Sequence, residues 1–255
     1  MHTRLYITSA VLLALVSACA TSPLGRSQLS LVSDEEMAQV GGQAFQQIAQ
    51  KTPVIGSGTE ARYVTCVANA VTHELPGNSN WEVKVFKSDE INAFALPGGH
   101  IGVYTGLLKV ATTQDQLATV IGHEVSHVLA RHSAERYSQQ MATGIGSEVI
   151  GLVTGVDPSV FNAAGGVLLL RFSRTQESEA DLLGLDLMSR AGFDPNGAIT
   201  LWQNMARAAK GDKPPELLST HPSDETRISA LQARLPQDLP VYEQARKNGK
   251  RPQCS

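Results

Sequence analysis

The five residues His123-Glu124-Val125-Ser126-His127 carry the strongest chemical signal in the sequence. Two histidines four positions apart project from one face of a helix, so both imidazoles can bind the same zinc ion. Glu124 follows the first histidine and can reach a water at the metal without being a ligand itself. The pattern therefore predicts a zinc site that already contains a general base.

A catalytic zinc normally has three protein ligands, and the sequence offers two places for the third. His132 lies five residues after the second histidine, which is about 140° further round a continuous helix. Glu177 and Asp181, about fifty residues downstream, are four apart and share a helical face, whereas Glu179 points away. Glu177 could bind zinc, and Asp181 could then accept a ring N–H from a ligating histidine. On spacing alone, a solvated acidic face is an equally good interpretation.

Capped amphipathic helices and a few short strands must position these residues. Thr113 and Gln116 form a capping box that begins the helix of the two histidines. Alternating residues at 81–88 predict a strand, and two more strands at 91–96 and 101–104 flank a Pro-Gly-Gly-His turn, as in a hairpin. Helices are predicted at residues 33–50, 59–75, 113–140, 173–190, 196–210 and 224–234. The elements predict a mostly helical α+β domain with a small antiparallel sheet.

Residues 141–170 are rich in glycine and alanine, with two apolar stretches. Neither stretch reaches the roughly 20 residues of a membrane span. A buried helical hairpin and a mobile flap over the zinc site both fit this composition.

Several motifs together resemble the HtpX-like, Oma-type and BepA-like gluzincin peptidases, which are relatives of the prenyl-protein peptidases. They are the His-Glu-x-x-His pattern, the run from Ser173 to Asp181, the segment from Asn92 to Gly99, and Thr220-His221-Pro222-Ser223 with Arg227. The resemblance covers roughly residues 35–235. It implies a zincin-type peptidase domain that binds one zinc ion through His123, His127 and Glu177.

The resemblance also implies roles for residues outside the ligand set. His221 and Arg227 match positions that stabilise the tetrahedral oxyanion in the family. A second hypothesis for His221 is that its imidazole occupies the fourth position of the zinc and keeps the enzyme latent. The edge of the hairpin, Asn92-Ala93-Phe94-Ala95, would bind an extended peptide through main-chain hydrogen bonds.

The N-terminal residues predict export. An apolar run after Arg4 is too short for a transmembrane helix and resembles a secretory signal. Small residues before Cys19 resemble a lipobox, with ordinary cleavage after Ala18 as the alternative. The predicted organisation is a signal peptide at 1–18, a lipid-anchored tether at 19–32, a peptidase domain at 33–240 and a tail at 241–255. Lipoproteins kept in the inner membrane often carry Asp after the lipidated Cys, whereas Ala20 follows Cys19 here. By that resemblance we expect the protein to face the periplasm from the outer membrane of a Gram-negative bacterium.

Lipidation of Cys19 would leave two cysteines, Cys66 and Cys254. In an oxidising compartment these two could form a disulfide that ties the C-terminal tail to an early helix. Alternatively, Cys66 is a buried small side chain and Cys254 lies on a frayed end.

Charge and motifs together define the expected function. The formal net charge of -3 argues against nucleic acid as a partner. We expect a zinc metalloendopeptidase that degrades misfolded or misassembled cell-envelope polypeptides. The alternative is a chaperone-like factor that works with the outer-membrane assembly machinery, with proteolysis secondary. Glu124 argues against a purely structural zinc domain, which needs no general base.

Overall fold

A computed structural model describes residues 19–77, 81–142, 172–210, 215–221 and 225–255. The predicted signal peptide at 1–18 lies outside this part of the chain, as does nearly all of the predicted hairpin or flap at 141–170. In the described ranges, no helix combines the length and the apolar character that crossing a membrane requires.

Helices dominate the fold and confirm the predicted α+β class. Three of them begin with capping boxes, which satisfy the free N–H groups of the first turn. The helices are α1 (Asp34–Lys51), α2 (Thr59–Thr72), α3 (Gln114–Leu129), α4 (His132–Ala142), α5 (Arg174–Arg190), α6 (Asn196–Ala208), α7 (Leu217–Thr220) and α8 (Glu225–Lys247).

The strands form one hairpin and one four-stranded sheet. The hairpin joins β1 (Cys19–Thr21) to β2 (Ser27–Leu29), and the sheet contains β3 (Val54–Ile55), β4 (Glu82–Phe86), β5 (Ala93–Leu96) and β6 (His100–Tyr104). The strand order is β3-β4-β6-β5, so the predicted β5–β6 hairpin is present and β5 is the edge strand. β6 pairs antiparallel with β5 but parallel with β4, so the sheet is mixed rather than purely antiparallel.

The core brings α3 and α5 unusually close together. A Cβ placed on Gly184 would lie 2.8 Å from the backbone nitrogen of His123, and one on Gly122 would lie 2.9 Å from the Gly184 carbonyl oxygen. Only glycine permits this separation. The close contact places the acidic first turns of α5 against the histidines of α3.

The predicted continuous helix at 113–140 is instead two helices. α3 ends at Leu129, and Arg131 has a φ of 54° in the left-handed region before α4 begins at His132. A residue in that region redirects the chain. The angle of 140° that separated His132 from the zinc ligands therefore does not apply.

The two ends of the described chain are more ordered than the sequence predicted. The segment predicted as a tether forms the β1–β2 hairpin. The helix predicted to end at Arg234 continues to Lys247 through Pro236 and Pro240, so the predicted domain end at 240 falls inside α8. Packing of α8 along α5 and α6 supports the helix beyond its prolines.

Cys66 and Cys254 form a disulfide, with 5.6 Å between their Cα atoms. The tail also bonds to the first turn of α3. The Gln114 side chain accepts from the Cys254 N–H at 3.0 Å and donates to the Pro252 carbonyl at 3.0 Å. The tail thus fastens the beginning of the helix that bears the two histidines.

Candidate metal centre

Four side chains converge in the interior, where α3, α5 and the end of α7 meet. They are His123, His127, Glu177 and His221, all buried, and each offers a ligand atom within 4.8 Å of the others. The Nε2 atoms of His123 and His127 are 3.1 Å apart. Glu177 oxygens lie 3.4 Å from the first of these nitrogens and 3.6 Å from the second. Nδ1 of His221 lies 3.3 Å from His123 Nε2 and 3.0 Å from Glu177 Oε1.

These separations suit zinc. Bonds of about 2.0–2.2 Å in a tetrahedron place neighbouring ligand atoms about 3.4 Å apart. The separations given above lie between 3.0 and 3.6 Å. Three imidazoles and one carboxylate are also ligand types that zinc prefers. The donor set therefore fits one zinc ion.

The protonation states also favour a cation between these groups. Burial lowers the pKa of His123, but Asp181 and Glu177 outweigh it and raise that pKa to about 9. Burial and the neighbouring imidazoles lower the pKa of His127. At Glu177, burial raises the pKa, but His123 and His221 outweigh it and lower that pKa far below the ordinary range. The carboxylates thus stabilise a positive charge at this position, which the proton of His123 supplies in the metal-free site. A bound metal ion would replace that proton, because neutral imidazoles and ionised carboxylates are the forms that bind metal.

Asp181 lies beside the ring of the first histidine. Its Oδ1 is 3.0 Å from Nδ1 of His123, on the side of the ring away from the other ligands. Burial raises the pKa of Asp181, but the Arg227 guanidinium outweighs this and lowers it. Asp181 is therefore charged and placed to fix the ring orientation of His123.

Arg227 is committed to these carboxylates. Its Nε and Nη2 donate to the two oxygens of Asp181 at 2.7 Å each, and Nη1 lies 2.9 Å from Glu177 Oε2. Its guanidinium also stacks over the Trp202 ring at 4.2 Å. The predicted oxyanion role of Arg227 stays a prediction, and the contacts describe a residue that holds Glu177 and Asp181.

Glu124 faces both His221 and the sheet edge. Its Oε1 lies 3.4 Å from His221 Nε2, and the carboxylate accepts the backbone N–H of Ala95. Among the described residues, Glu124 Oε1 is buried without a hydrogen-bond partner. Burial raises the pKa of Glu124. A buried carboxyl with a raised pKa and an open oxygen has the properties of a general base.

The predicted peptide-binding edge lies against this carboxylate. The backbone N–H of Tyr104 donates to the Asn92 carbonyl, so the alternation of an antiparallel pair turns the main-chain groups of Ala93 and Ala95 away from β6. The Ala95 N–H that reaches Glu124 is one of these groups. Phe94, in contrast, packs in a hydrophobic cluster with Phe45, Phe86 and Tyr104.

Two further features surround the histidines. Phe172 stacks on the His127 ring with 3.9 Å between centroids and lies 5.4 Å from the His221 ring. A cavity of about 300 Å³ opens beside His127, with walls that include Met37, Pro97, Val128, Leu129 and Ala134. The cavity follows the end of β5, and its walls also include the charged residues Asp34 and Arg131.

Two polar residues near the site were not predicted, His132 and Glu179. His132 Nδ1 lies 2.9 Å from His127 Nδ1, and His132 Nε2 lies 3.2 Å from Glu179 Oε2. Neither spacing nor helical angle indicated this contact, because the chain turns at Arg131. The alternative of a solvated acidic face is wrong, since Glu177, Glu179 and Asp181 are all buried.

Fold and site together define a zinc-dependent metallopeptidase, with the paired histidines and the base on one helix and the acidic ligand on a second. Residues 60–235 match the model of peptidase family M48. The chain belongs to this family, which confirms the resemblance.

Curated relatives agree with the family. The mitochondrial metalloendopeptidase OMA1 of Saccharomyces cerevisiae is 36% identical over 183 residues, which are 69% of this chain and 53% of the relative. The Arabidopsis thaliana protein of the same name is 42% identical over 165 residues, 64% of this chain and 33% of the relative. The beta-barrel assembly-enhancing protease of Escherichia coli is 29% identical over 242 residues, 90% of this chain and 50% of the relative. The chain thus spans about half or less of these relatives.

The predicted cellular address is wrong on this comparison. Relatives from two yeasts, Arabidopsis thaliana and Bos taurus are named mitochondrial, which contradicts a periplasm-facing lipoprotein at the outer membrane of a Gram-negative bacterium. The address rested on a few residues around Cys19, and short N-terminal patterns carry less information than similarity across a domain. The signal peptide and the lipidation of Cys19 stay predictions.

Proposed function

We propose that the chain is a zinc endopeptidase that cuts extended segments of misfolded or misassembled polypeptides. The observation that carries the proposal is the position of Glu124, whose open oxygen lies 3.4 Å from Nε2 of His221, one of the four residues whose ligand atoms converge. When bound, zinc would supply a Lewis acid that polarises a peptide carbonyl and activates water.

Glu124 performs the proton transfers. Its Oε1 accepts a proton as the water attacks the peptide carbonyl, and the same carboxyl later donates that proton to the nitrogen of the leaving amine. The Ala95 N–H holds the other part of the carboxylate, which limits its rotation. The proton is therefore taken up and released at one fixed position.

The β5 edge binds the substrate. The outward main-chain groups of Ala93 and the outward carbonyl of Ala95 pair with an extended chain, and such pairing depends little on side chains. A folded protein cannot offer an extended segment to a buried strand edge. This geometry supports selection of unfolded chains of many sequences.

His221 is the residue that controls the fourth position of the metal. Its Nδ1 faces His123 and Glu177, and its Nε2 faces Glu124. In this position the ring would take the place of a water molecule at a bound zinc ion, and rotated away it could donate to the oxyanion. The contacts therefore support latency, with oxyanion stabilisation as the second hypothesis.

Metal analysis combined with casein cleavage tests the proposed function. We expect one zinc ion per wild-type chain, and we expect Glu124→Gln to retain the zinc while activity falls about 10²–10⁴-fold, the usual contribution of a general base. Undiminished cleavage by this variant would refute the role of Glu124. Absence of zinc from the wild-type protein would refute the metal site.

His221→Ala separates the two hypotheses for the imidazole. If His221 keeps the site latent, casein cleavage rises in the variant while zinc is retained. If it only stabilises the oxyanion, cleavage falls and the KM for substrate changes little. Leu218→Ala, on the same short helix but outside the metal cluster, is the matched control.

A second candidate function is assistance of protein assembly. The Escherichia coli relative that aligns with 90% of this chain is named a beta-barrel assembly-enhancing protease. Under this candidate, Glu124→Gln would still restore assembly of β-barrel proteins in cells that lack the chain. Loss of that rescue would assign the function to proteolysis.

A further inference from the structure

The two ligand histidines are supported in different ways. His123 contacts a carboxylate directly, since Asp181 Oδ1 lies 3.0 Å from its Nδ1. His127 instead contacts another imidazole, that of His132, at 2.9 Å between the Nδ1 atoms. The side chain of His132 is completely buried, so no bulk water competes for this contact.

The hydrogen-bond directions along this contact follow from the metal site. If His127 binds zinc through Nε2, its Nδ1 carries the proton and donates it to His132 Nδ1. His132 must then carry its own proton on Nε2, and this nitrogen faces Glu179 Oε2 at 3.2 Å. Every donor on this path therefore meets an acceptor, and the path ends on a carboxylate.

The N-terminal hairpin holds that carboxylate. Nε of Arg26 donates to Glu179 Oε2 at 3.0 Å, and the Leu24 N–H reaches Oε1 at 3.4 Å. Arg26 is itself fixed by two hydrogen bonds of 2.6 and 2.7 Å to Glu135. The arrangement repeats the pairing of Asp181 with Arg227 on the opposite side of the site.

We propose that His132 and Glu179 are positioning residues that orient the zinc ligand His127, and that Arg26 of the N-terminal hairpin fixes Glu179 in this role. The proposal rests on the proposed function, because it takes His127 as a ligand. It makes the hairpin between residues 19 and 29 part of the metal centre. Loss of a residue that hydrogen-bonds to a metal ligand typically weakens metal affinity about 10–100-fold.

The test measures zinc affinity by chelator competition and the visible spectrum of the cobalt-substituted protein. We expect Glu179→Gln to raise the zinc dissociation constant about 10–100-fold and to shift the cobalt bands, because the amide cannot replace the carboxylate charge. Asp181→Asn should also weaken zinc binding and shift the cobalt bands, because it removes the carboxylate that contacts His123. This variant shows that the assay detects the loss of a contact to a ligand histidine. Arg26→Gln should weaken binding in the same direction by a smaller factor.

Asp238→Asn is the matched control. Asp238 is buried and accepts from the Arg234 Nε at 3.0 Å, the same distance as in the Arg26–Glu179 pair, but it lies eleven residues beyond Arg227 in α8. We expect this variant to lose fold stability and to keep zinc affinity and cobalt spectrum. An equal loss of affinity in the control would reduce Glu179 to a structural role and overturn the proposal.

The remaining outcomes are also decisive. Zinc affinity of Glu179→Gln within threefold of wild type, with an unchanged spectrum, would overturn the positioning role while leaving the peptidase proposal intact. A wild-type chain that binds no zinc would instead refute the proposed function. If Glu179→Gln does not fold, Arg26→Gln decides, since its side chain is 24% exposed and its replacement leaves the Glu179 carboxylate beside His132 in place.

Discussion

Replacement of Arg227 by glutamine distinguishes a residue that acts on substrate from one that holds the metal ligands. The guanidinium makes two hydrogen bonds of 2.7 Å to Asp181 and lies 2.9 Å from Glu177. Both carboxylates are buried, with 8% and 2% of their surface exposed. Glutamine fills part of the space but supplies no charge, so two buried carboxylates lose their shared cation.

The expected cost follows from this geometry. Removing one partner of a buried, hydrogen-bonded ion pair destabilises a protein by about 3–5 kcal/mol. Loss of the contact with the Trp202 ring adds to this figure in the same direction. At about 2–4 °C per kcal/mol for a chain of this size, the melting temperature of the metal-free protein should fall by roughly 6–20 °C. Arg227→Lys keeps the charge but not the paired geometry, so it should lie between wild type and Arg227→Gln.

Calorimetry of the metal-free and zinc-loaded proteins, followed by casein kinetics, measures the effect. We expect the metal-free Arg227→Gln protein to show the larger loss, because bound zinc compensates the charge of Glu177. Arg234→Gln, in the same helix, is the control for loss of an arginine. A metal-free melting temperature within about 2 °C of wild type, together with a reduced kcat, would refute this reasoning. That result would support the oxyanion role predicted from the sequence.

Two further predictions concern the disulfide and a buried tyrosine. The Cys66–Cys254 bond closes a loop of 188 residues, and its removal in a Cys66→Ser/Cys254→Ser double variant should cost about 2–5 kcal/mol of unfolding free energy in denaturant titrations. Reductant should lower wild-type stability to the same level and leave the variant unchanged; a difference under about 1 kcal/mol would contradict the prediction. Burial, and secondly Glu90, raises the pKa of Tyr104 to about 12. The contribution of the neutral Tyr104 hydroxyl to stability is therefore complete below the unfolded pKa of about 10 and is lost as pH rises from there towards 12. Phenolate absorbance should show this late titration in wild type and lack it in Tyr104→Phe.

Features within one element were predictable from the sequence. The histidine pair and Glu124 lie on one helix, and Glu177 and Asp181 share a face of another, so spacing fixes each set. The Pro-Gly-Gly-His turn likewise fixed the β5–β6 hairpin. The parallel pairing of β6 with β4 was not predictable in this way, because it depends on which strand occupies the middle of the sheet.

The outer partners of His127 show why spacing fails across a break in a helix. The angle between His127 and His132 was calculated for one straight helix, but Arg131 at a φ of 54° redirects the chain and returns the His132 ring to His127. Glu179, which points away from Glu177 on α5, then meets that ring from the other side. The same helix therefore supplies the ligand Glu177 on one face and, on the neighbouring face, the Glu179 carboxylate that contacts His132. A buried acidic run of this kind indicates a metal ligand together with a carboxylate that orients another ligand, rather than a solvated face.

The glycines at the contact of α3 and α5 provide the missing tertiary signal. Gly122 precedes the first ligand histidine, and Gly184 lies seven residues after Glu177, two turns along the same face of α5. A side chain at either position would separate the helices, since Cβ atoms there would lie under 3 Å from the opposing backbone. Separation of the helices would withdraw Glu177 from the two imidazoles. The ligand set thus depends on two glycines that have no functional side chain. A glycine one residue before the first histidine is a pattern that a sequence can show.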